Sequence, residues 1–383
     1  MDVNPIVDRK GDLTDDEIRN GPLFLRLNFK NIENVTFGTE HIGWRLRHIM
    51  ADYGNKKRLK NFMYHLRFLV LMAFTIPAAS AYANESTTYT LKNDRKLRPL
   101  EHFRDCDQCP KMIALPLGDF VMGAPLQESA FLYNLMFKPR PGIEPGFVRE
   151  GPQHVVKVDI PFAMSENEIT REEWMACVAD QGCTITPSFE VLGSGGYKLA
   201  EGDRMPIFKV SYRDALEYVA WLNVRVGENV YRLPTAAEWE YAGRAGTTTP
   251  YAQGTTLTTE QVNFLPFELK SDGSFYLVDP DQVPFPVIVD ELDAANPWGL
   301  RHMSGNVLEM TMSCITETLL GLPTTSAYYD AAKAGTDCRR VVKGGHFSAS
   351  MLWSRLASRI STDLDTVTHT RGFRVLRQIK EMK

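Results

Sequence analysis

The chain has 383 residues, enough for one large domain or two ordinary ones. Its composition, 44% hydrophobic, 23% charged and 10% aromatic, is that of an ordinary soluble protein. The formal net charge is −4 and the second half contains no long basic run, so the chain lacks the electrostatic footprint of a nucleic-acid-binding protein. We therefore expect no nucleic-acid partner.

Residues 63–83 are typical of a secretory signal peptide. The basic run Lys56–Lys60 precedes an uncharged stretch, Phe68–Ala83, which ends in Ala-x-Ala-like spacings. A membrane anchor and a short buried helix are the alternatives, but the stretch is shorter than the roughly 18–20 residues that span a bilayer, and Pro77 interrupts it. We expect a mature chain that begins near Asn84, lies in the periplasm or is secreted, and keeps no stable membrane span after signal cleavage.

The segments on either side of this signal carry no recognisable motif. Residues 1–62 form an N-terminal extension, and the simplest explanation is a start codon assigned too early, with Met50 or Met63 as the true initiator. A cytoplasmic extension before a signal anchor is the alternative. Residues 84–102 are polar and predict a linker, which leaves 103–380 as the folded domain.

The six cysteines all follow residue 84 and fall into three near pairs. An even number of cysteines in an exported chain predicts disulfides. A zinc site would need two close Cys-x-x-Cys elements, and only one is present. Proximity in sequence favours the pairs Cys106 with Cys109, Cys177 with Cys183, and Cys314 with Cys338.

The first elements of the domain are predicted to be short strands. The residues from Met112 to Gly123 read as a strand, a turn and a second strand, and another strand is expected around 154–160. A Pro/Gly-rich loop at 138–151 separates them.

Three helices follow these strands. Thr170 and Glu173 form a capping box of the Thr-x-x-Glu type, Ser211 is a candidate N-cap, and Thr235 opens a helix whose Trp239 is expected on the core face. After Gly246 the chain is rich in Gly, Pro and Thr, and we predict no further helix. Helices followed by irregular β structure indicate an α+β fold.

Several motifs resemble, in order along the chain, those of the formylglycine-generating enzyme superfamily, also called the sulfatase-modifying-factor domain. The resemblance identifies the chain as a bacterial member and implies a C-type-lectin-like fold, rich in irregular structure, in one domain. The motifs are Phe103–Gly123, Glu168–Thr170, Tyr231–Ala242, Asn296–Glu309, Arg339–Phe347 and Arg371–Arg374.

The stretch from Arg339 to Lys383 contains no cysteine. In members that oxidise sulfatases, a redox-active cysteine pair follows the Gly-Gly-Ser that Gly344–His346 resembles. Thiolates bind soft metals and carry oxidation chemistry. We therefore expect no formylglycine-generating activity and no copper cofactor.

The resemblance also implies a candidate calcium site. Gly305 and Val307 would supply backbone carbonyls and Glu309 a carboxylate, which are the oxygen ligands that calcium prefers. His302 stands where Asn or Asp is usual, and imidazole nitrogen is a poor calcium ligand. The alternative is a purely structural turn.

His346 is the candidate catalytic residue, because histidine titrates near neutral pH and can act as a base or a ligand. Phe347, Trp353, Arg355 and His369 are candidates for the same pocket. The alternative is that His346 only hydrogen-bonds its own loop. The sequence contains no nucleophile elbow, phosphate loop or His-Glu-x-x-His pair.

Two classes of function remain. The favoured one is a module that binds a peptide, a glycan or a partner protein without catalysis. The alternative is a periplasmic oxidoreductase-like enzyme of altered chemistry, as in relatives that mature a siderophore.

Overall fold

The computed structural model describes residues 88–91, 94–126, 128, 149–193, 196–269, 275–278 and 284–381. These lie in a compact unit that spans residues 78–383. The predicted extension at 1–62, the signal-like segment at 63–83 and most of the loop at 138–151 fall outside the described residues. Within them, no helix has both the length and the apolar character needed to cross a membrane.

The unit combines short strands with four α-helices among the described residues. The helices are α1 (Arg171–Ala179), α2 (Tyr212–Val226), α3 (Ala236–Arg244) and α4 (Thr325–Ala334). The strands are β1 (Tyr89–Thr90), β2 (Lys96–Leu97), β3 (His102–Phe103), β4 (Met112–Ala114), β5 (Gly118–Met122), β6 (His154–Val158), β7 (Phe162–Ser165), β8 (Glu190–Gly193), β9 (Gly196–Leu199), β10 (Tyr231–Arg232), β11 (Phe267–Leu269), β12 (Phe275–Leu277), β13 (Leu308–Cys314), β14 (Arg340–Lys343), β15 (Ile360–Thr362), β16 (Arg371–Gly372), β17 (Leu376–Gln378) and β18 (Lys380–Glu381).

The C-terminal strands join sheets made by earlier parts of the chain. A five-stranded sheet has the order β10-β17-β7-β4-β3, a four-stranded sheet the order β15-β14-β13-β16, and a three-stranded sheet the order β18-β1-β2. β13 and β16 pair in parallel, while β13 pairs with β14 and β14 with β15 in antiparallel fashion. The pairs β5-β6, β8-β9 and β11-β12 form separate two-stranded ladders. This mixture of helix and sheet confirms the α+β fold class.

The predicted helix starts are confirmed in detail. In α1, α2 and α3 the side chains of Thr170, Ser211 and Thr235 each accept from the backbone N–H three residues on. The acidic side chain at that third position accepts in return from the backbone N–H of the cap residue, which completes a capping box in all three helices. The strands predicted at 112–123 and near 154–160 are also present, as β4, β5 and β6.

Helix α4 is an element that the sequence interpretation missed. Thr324 caps it by accepting from the backbone N–H of Ala327. Asp159, distant in sequence, accepts from the Thr325 hydroxyl at 2.9 Å and from the Ser326 backbone N–H at 2.9 Å. Thr is a preferred N-cap residue and four of the ten helix residues are alanine, so local signals for this helix are present within a stretch otherwise rich in Gly, Pro and Thr, and Asp159 adds a tertiary contact at its start.

The linker prediction for residues 84–102 does not hold for those that the structure describes. Tyr89 and Leu97 are fully buried, and β1 pairs with both β2 and β18. The Tyr89 hydroxyl donates to the Leu115 carbonyl at 2.9 Å. Leu97 of β2 is buried between the exposed Lys96 and Arg98, so the polar composition concealed a pair of strands.

All six cysteines form the three predicted disulfides, Cys106–Cys109, Cys177–Cys183 and Cys314–Cys338. The paired cysteines are 3, 6 and 24 residues apart in sequence, as proximity predicted.

A truncation of Tyr89 tests whether this N-terminal segment belongs to the domain. Because Tyr89 is fully buried and hydrogen-bonded, Tyr89→Ala should lower the free energy of unfolding by about 3–5 kcal/mol, as aromatic-to-alanine changes in cores do. Urea unfolding measures the change. Val224→Ala, at a side chain that is 82% exposed, is the matched control and should have an effect within about 0.5 kcal/mol. Equal effects of the two substitutions on the free energy of unfolding would indicate that this segment is a linker and not part of the domain.

Candidate functional site

A cavity of about 400 Å³ lies against the four-stranded sheet. Leu308, Val342 and Ile360 line it from β13, β14 and β15. Successive side chains of a strand point to opposite faces, so the Glu309 carboxylate and the Lys343 amine, next along β13 and β14, are directed to α3, although other atoms of Lys343 still border the cavity. The remaining described lining residues are Phe267, Lys343, Gly344, His346, Ser348, Ala349, Ser350, Trp353 and Ser358.

A tight glycine turn places His346 at this cavity. Gly344 and Gly345 both have positive φ, at +93° and +75°. A Cβ on Gly345 would lie 2.8 Å from Cα and 2.9 Å from N of Ser354, the last residue of a 3₁₀ helix at Met351–Ser354. The absence of a side chain at Gly345 therefore lets the turn pack on that helix, and Trp353 of the helix lines the cavity together with His346.

The His346 ring is held in one neutral form. The Ser348 backbone N–H donates to Nδ1 at 3.3 Å and the Ser348 Oγ lies 2.9 Å from the same atom, so Nδ1 accepts and the ring proton is on Nε2. Burial, together with the nearby His369 and Arg371, lowers the pKa of His346 to about 4. The imidazole is therefore uncharged at neutral pH.

The structure brings only part of the predicted pocket together. Trp353 is half-buried and lines the cavity with His346. Phe347 is buried in the core, 6.2 Å ring to ring from His369, and neither is among the described lining residues. Arg355 is 1% exposed and donates to both oxygens of Glu150, at 2.6 and 2.8 Å, so its guanidinium is part of a buried ion pair.

Sequence reasoning missed the hydroxyl groups and one aromatic ring of the lining. Ser348, Ser350 and Ser358 contribute the hydroxyls, and Phe267 reaches the cavity from β11. Serines in a loop carry no signal that separates them from ordinary turn residues. None of the described lining residues is Asp or Glu. The part of the chain that the structure describes also holds no group of three or more His, Cys, Asp or Glu side chains arranged for a metal ion.

In the turn predicted to bind calcium, the Glu309 carboxylate is bound by other side chains of the protein. Arg374 donates from Nε and Nη2 to both oxygens of Glu309, at 2.5 and 2.7 Å, and the Trp239 indole N–H donates to the same carboxylate at 2.6 Å. Glu309 and Arg374 are fully buried. Calcium would have to displace a guanidinium from both oxygens of its only proposed carboxylate ligand, so these residues do not fit the ion.

Two buried titratable groups flank this turn. Glu168 accepts from the Val307 backbone N–H at 3.3 Å and from Asn306 Nδ2 at 3.1 Å, and burial together with the neighbouring Glu309 raises its pKa well above the usual range. His302 is fully buried with φ at +54°, and its Nε2 lies 3.1 Å from the Val289 carbonyl. Burial lowers the pKa of His302 to about 3.

Comparison with known proteins places this architecture in a family. A model of the sulfatase-modifying factor enzyme 1-like domain matches residues 100–379. The chain belongs to this family. The match confirms the resemblance seen in the motifs.

The relatives differ in how much of the chain they cover. The formylglycine-generating enzyme of Streptomyces coelicolor is 26% identical over 313 residues, which cover 68% of this chain and 87% of that enzyme. The enzyme of the same name from Mycobacterium tuberculosis is 34% identical over 185 residues, 44% of this chain and 56% of its own length. The solved structure of PvdO from Pseudomonas aeruginosa matches with a TM-score of 0.56 and 27% identity, covering 74% of this chain and 99% of that one.

The role of Glu309 can be tested by removing its charge. Glu309→Gln leaves the buried Arg374 guanidinium without its counter-charge, so the free energy of unfolding should fall by about 3–5 kcal/mol. Asp365→Asn, which breaks an exposed ion pair with Arg213, is the control and should cost less than about 1 kcal/mol. Calcium at roughly 10 mM, above the dissociation constants of weak extracellular sites, should not change the Tm of the wild-type protein. A calcium-dependent rise in Tm that Glu309→Gln abolishes would contradict this assignment.

The buried His302 predicts a defined pH dependence of stability. Its folded pKa of about 3 lies below the unfolded value of 6.5, so only the unfolded chain takes up the proton between these limits, and stability is lost as pH falls below 6.5. From pH 7 to pH 5 this group should contribute a loss of about 2 kcal/mol. His302→Asn, which tolerates the positive φ, should remove that part of the loss. Urea unfolding of both proteins at the two pH values measures the difference, and parallel losses would refute the role of His302.

Proposed function

We propose that this protein is an exported, non-catalytic binding module, which holds an uncharged and largely apolar group of a ligand in the His346–Trp353 cavity. The lining of that cavity carries the proposal. Its described walls combine aliphatic and aromatic side chains with serine hydroxyls and a neutral imidazole, and its lysine is turned to Glu240, 3.1 Å away. Such a surface favours apolar groups with a few hydrogen bonds over charged ones.

The arrangement also suggests which ligand group is recognised. Trp353 and the 37%-exposed Phe267 offer aromatic faces, and His346 offers an Nε2–H donor because Nδ1 already accepts from Ser348. An aromatic or aliphatic group that bears a hydrogen-bond acceptor meets both requirements. A side chain of a peptide or partner protein, or the apolar face of a glycan, has this chemistry.

The cysteines support a function without sulfatase-type oxidation. All six are in disulfides, so the folded chain offers no thiol for that reaction. Three disulfides together with the signal-like segment at 63–83 also support a periplasmic or secreted location.

A periplasmic oxidoreductase-like enzyme of altered chemistry is the second candidate. The observation that favours it is the Ser348 Oγ, 2.9 Å from Nδ1 of a neutral His346 in the same cavity, an arrangement that allows proton transfer. The match to the P. aeruginosa PvdO structure, which covers 99% of that chain, also supports it. In this case His346→Ala should abolish turnover, whereas a binding module should lose only about 1 kcal/mol of affinity from the same change.

A sulfatase peptide assay tests the absence of formylglycine generation. The purified protein, incubated with a cysteine-containing sulfatase peptide, copper and oxygen, should leave the cysteine unchanged, because the chain has no free thiol. Mass spectrometry of the peptide detects the aldehyde, and the S. coelicolor enzyme run in parallel is the positive control. Aldehyde formation by this protein would show that another set of residues performs the oxidation.

A neutral aromatic probe tests the cavity directly. N-acetyl-tryptophanamide should bind, and Trp353→Ala should weaken it by about tenfold or more, as removal of an aromatic anchor does. His346→Ala should cost about 1 kcal/mol, the value of one hydrogen bond. Isothermal titration calorimetry measures both changes.

Two controls make this experiment decisive. N-acetyl-tryptophan, which differs by a carboxylate, should bind more weakly because the lining lysine is already paired with Glu240. Leu320→Ala, at an exposed side chain outside the lining, should leave the affinity unchanged. Equal affinity for the wild type and Trp353→Ala would reject the cavity as the binding site.

A further inference from the structure

We propose that the Cys106–Cys109 disulfide is a thiol–disulfide exchange site, which accepts two electrons from a dithiol of a partner protein. The proposal is independent of the ligand of the His346–Trp353 cavity. It rests on the unequal exposure of the two cysteines, on contacts that hold the loop without the disulfide, and on a polar groove beside it.

The two cysteines differ in accessibility. Cys106 is partly exposed, whereas Cys109 is completely buried in the core. The residues between them, Asp107 and Gln108, are exposed and form a turn closed by a hydrogen bond of 3.1 Å from the Cys109 N–H to the Cys106 carbonyl. An incoming thiolate can therefore reach Cys106 and not Cys109, which gives the exchange a direction.

The loop around this disulfide is fixed by other interactions. Asp105 accepts from the Tyr231 hydroxyl at 2.7 Å and from Arg377 Nε at 2.5 Å. Arg104 donates to the Cys109 carbonyl, and Arg225 donates to the Gln108 side chain. None of these contacts uses a sulfur atom, so opening the S–S bond does not remove any of their donors or acceptors.

The other two disulfides have structural positions. Cys177 and Cys183 are both buried and fasten the end of α1 to the loop that follows. Cys314 and Cys338 are both partly exposed, but they are 24 residues apart and enclose α4 between β13 and β14. Cross-links that close longer loops restrict the unfolded chain more, and Cys106 and Cys109 are only three residues apart. Of the three bridges, theirs contributes least to folding.

A polar groove of about 330 Å³ lies beside the exchange site. Its described walls carry two guanidinium groups, those of Arg104 and Arg204, and three carboxylates, so groups of both charges are available to contact a partner chain. Its other described walls are Asp107, Gln108, Glu172, Glu173 and Ala176.

The exchange takes place in two steps, and its atoms and electrons balance. A thiolate of the partner attacks Sγ of Cys106, the S–S bond breaks, and the electron pair leaves on Cys109, which takes up a proton. The second thiolate of the partner then attacks the partner's sulfur atom in the mixed disulfide, and Cys106 is released as a thiolate. The partner dithiol becomes a disulfide, and this protein gains two thiols. The buried Cys109 thiol is compatible with the core, because a protonated cysteine packs as a small apolar side chain.

Partial reduction of the folded wild-type protein is the first test. The full chain is exposed to dithiothreitol without denaturant, quenched with acid, unfolded, alkylated and analysed by peptide mass spectrometry. Cys106 and Cys109 should be modified at least about tenfold faster than Cys177 and Cys183, with the circular dichroism spectrum unchanged. Reduction of all three disulfides together, or of Cys106–Cys109 last, would overturn the proposal.

A pair of single substitutions tests the direction of attack. Cys109→Ser leaves the partly exposed Cys106 thiol and should form a mixed disulfide with oxidised glutathione. Cys106→Ser leaves the buried Cys109 thiol and should react at least about tenfold more slowly. Equal rates in two folded variants would contradict the assignment of Cys106 as the attacked sulfur. If either variant fails to fold, the partial reduction of the wild-type chain still tests the proposal.

Discussion

The buried ion pair between Glu309 and Arg374 connects the two largest sheets of the described domain. Glu309 lies on β13 of the four-stranded sheet, and Arg374 lies in the turn between β16 and β17. The same guanidinium donates from Nη1 to the Ser165 carbonyl at 2.9 Å, at the end of β7 in the five-stranded sheet, and from Nη2 to the Arg301 carbonyl at 2.8 Å. One side chain therefore joins two sheets and the loop before β13. A buried charge of this kind persists only because every donor has a partner.

Helix α3 makes further buried polar contacts on the same face of the four-stranded sheet. Its Trp239 donates to Glu309, and its Glu240 accepts from Lys343 Nζ at 3.1 Å and from the Gly123 N–H at 2.8 Å. The contacts with Glu309 and Lys343 lie on the side of β13 and β14 opposite Leu308 and Val342. The polar network thus fixes the sheet from behind, and the apolar face is left to line the cavity.

The sequence best predicted the features that depend on neighbouring residues. Capping boxes and short-range disulfides depend on residues that are close along the chain, and all of those predicted are present. Long-range contacts explain the errors. The partner of Glu309 is 65 residues away and that of Arg355 is 205 residues away, so neither ion pair could be seen in a motif. For the same reason the sequence suggests Glu309 as a calcium ligand and Arg355 as a pocket residue, whereas in the structure each belongs to a buried ion pair.

The antiparallel pairing of β1 with β18 has a topological consequence. Tyr89 lies opposite Glu381, so the first and last described strands of the folded unit are neighbours in one small sheet. A domain whose ends meet at one place can be spliced into a surface loop of another protein without separating the two halves of that loop. The same closeness permits circular permutation, in which a short peptide joins the old ends and new ones are opened elsewhere on the surface.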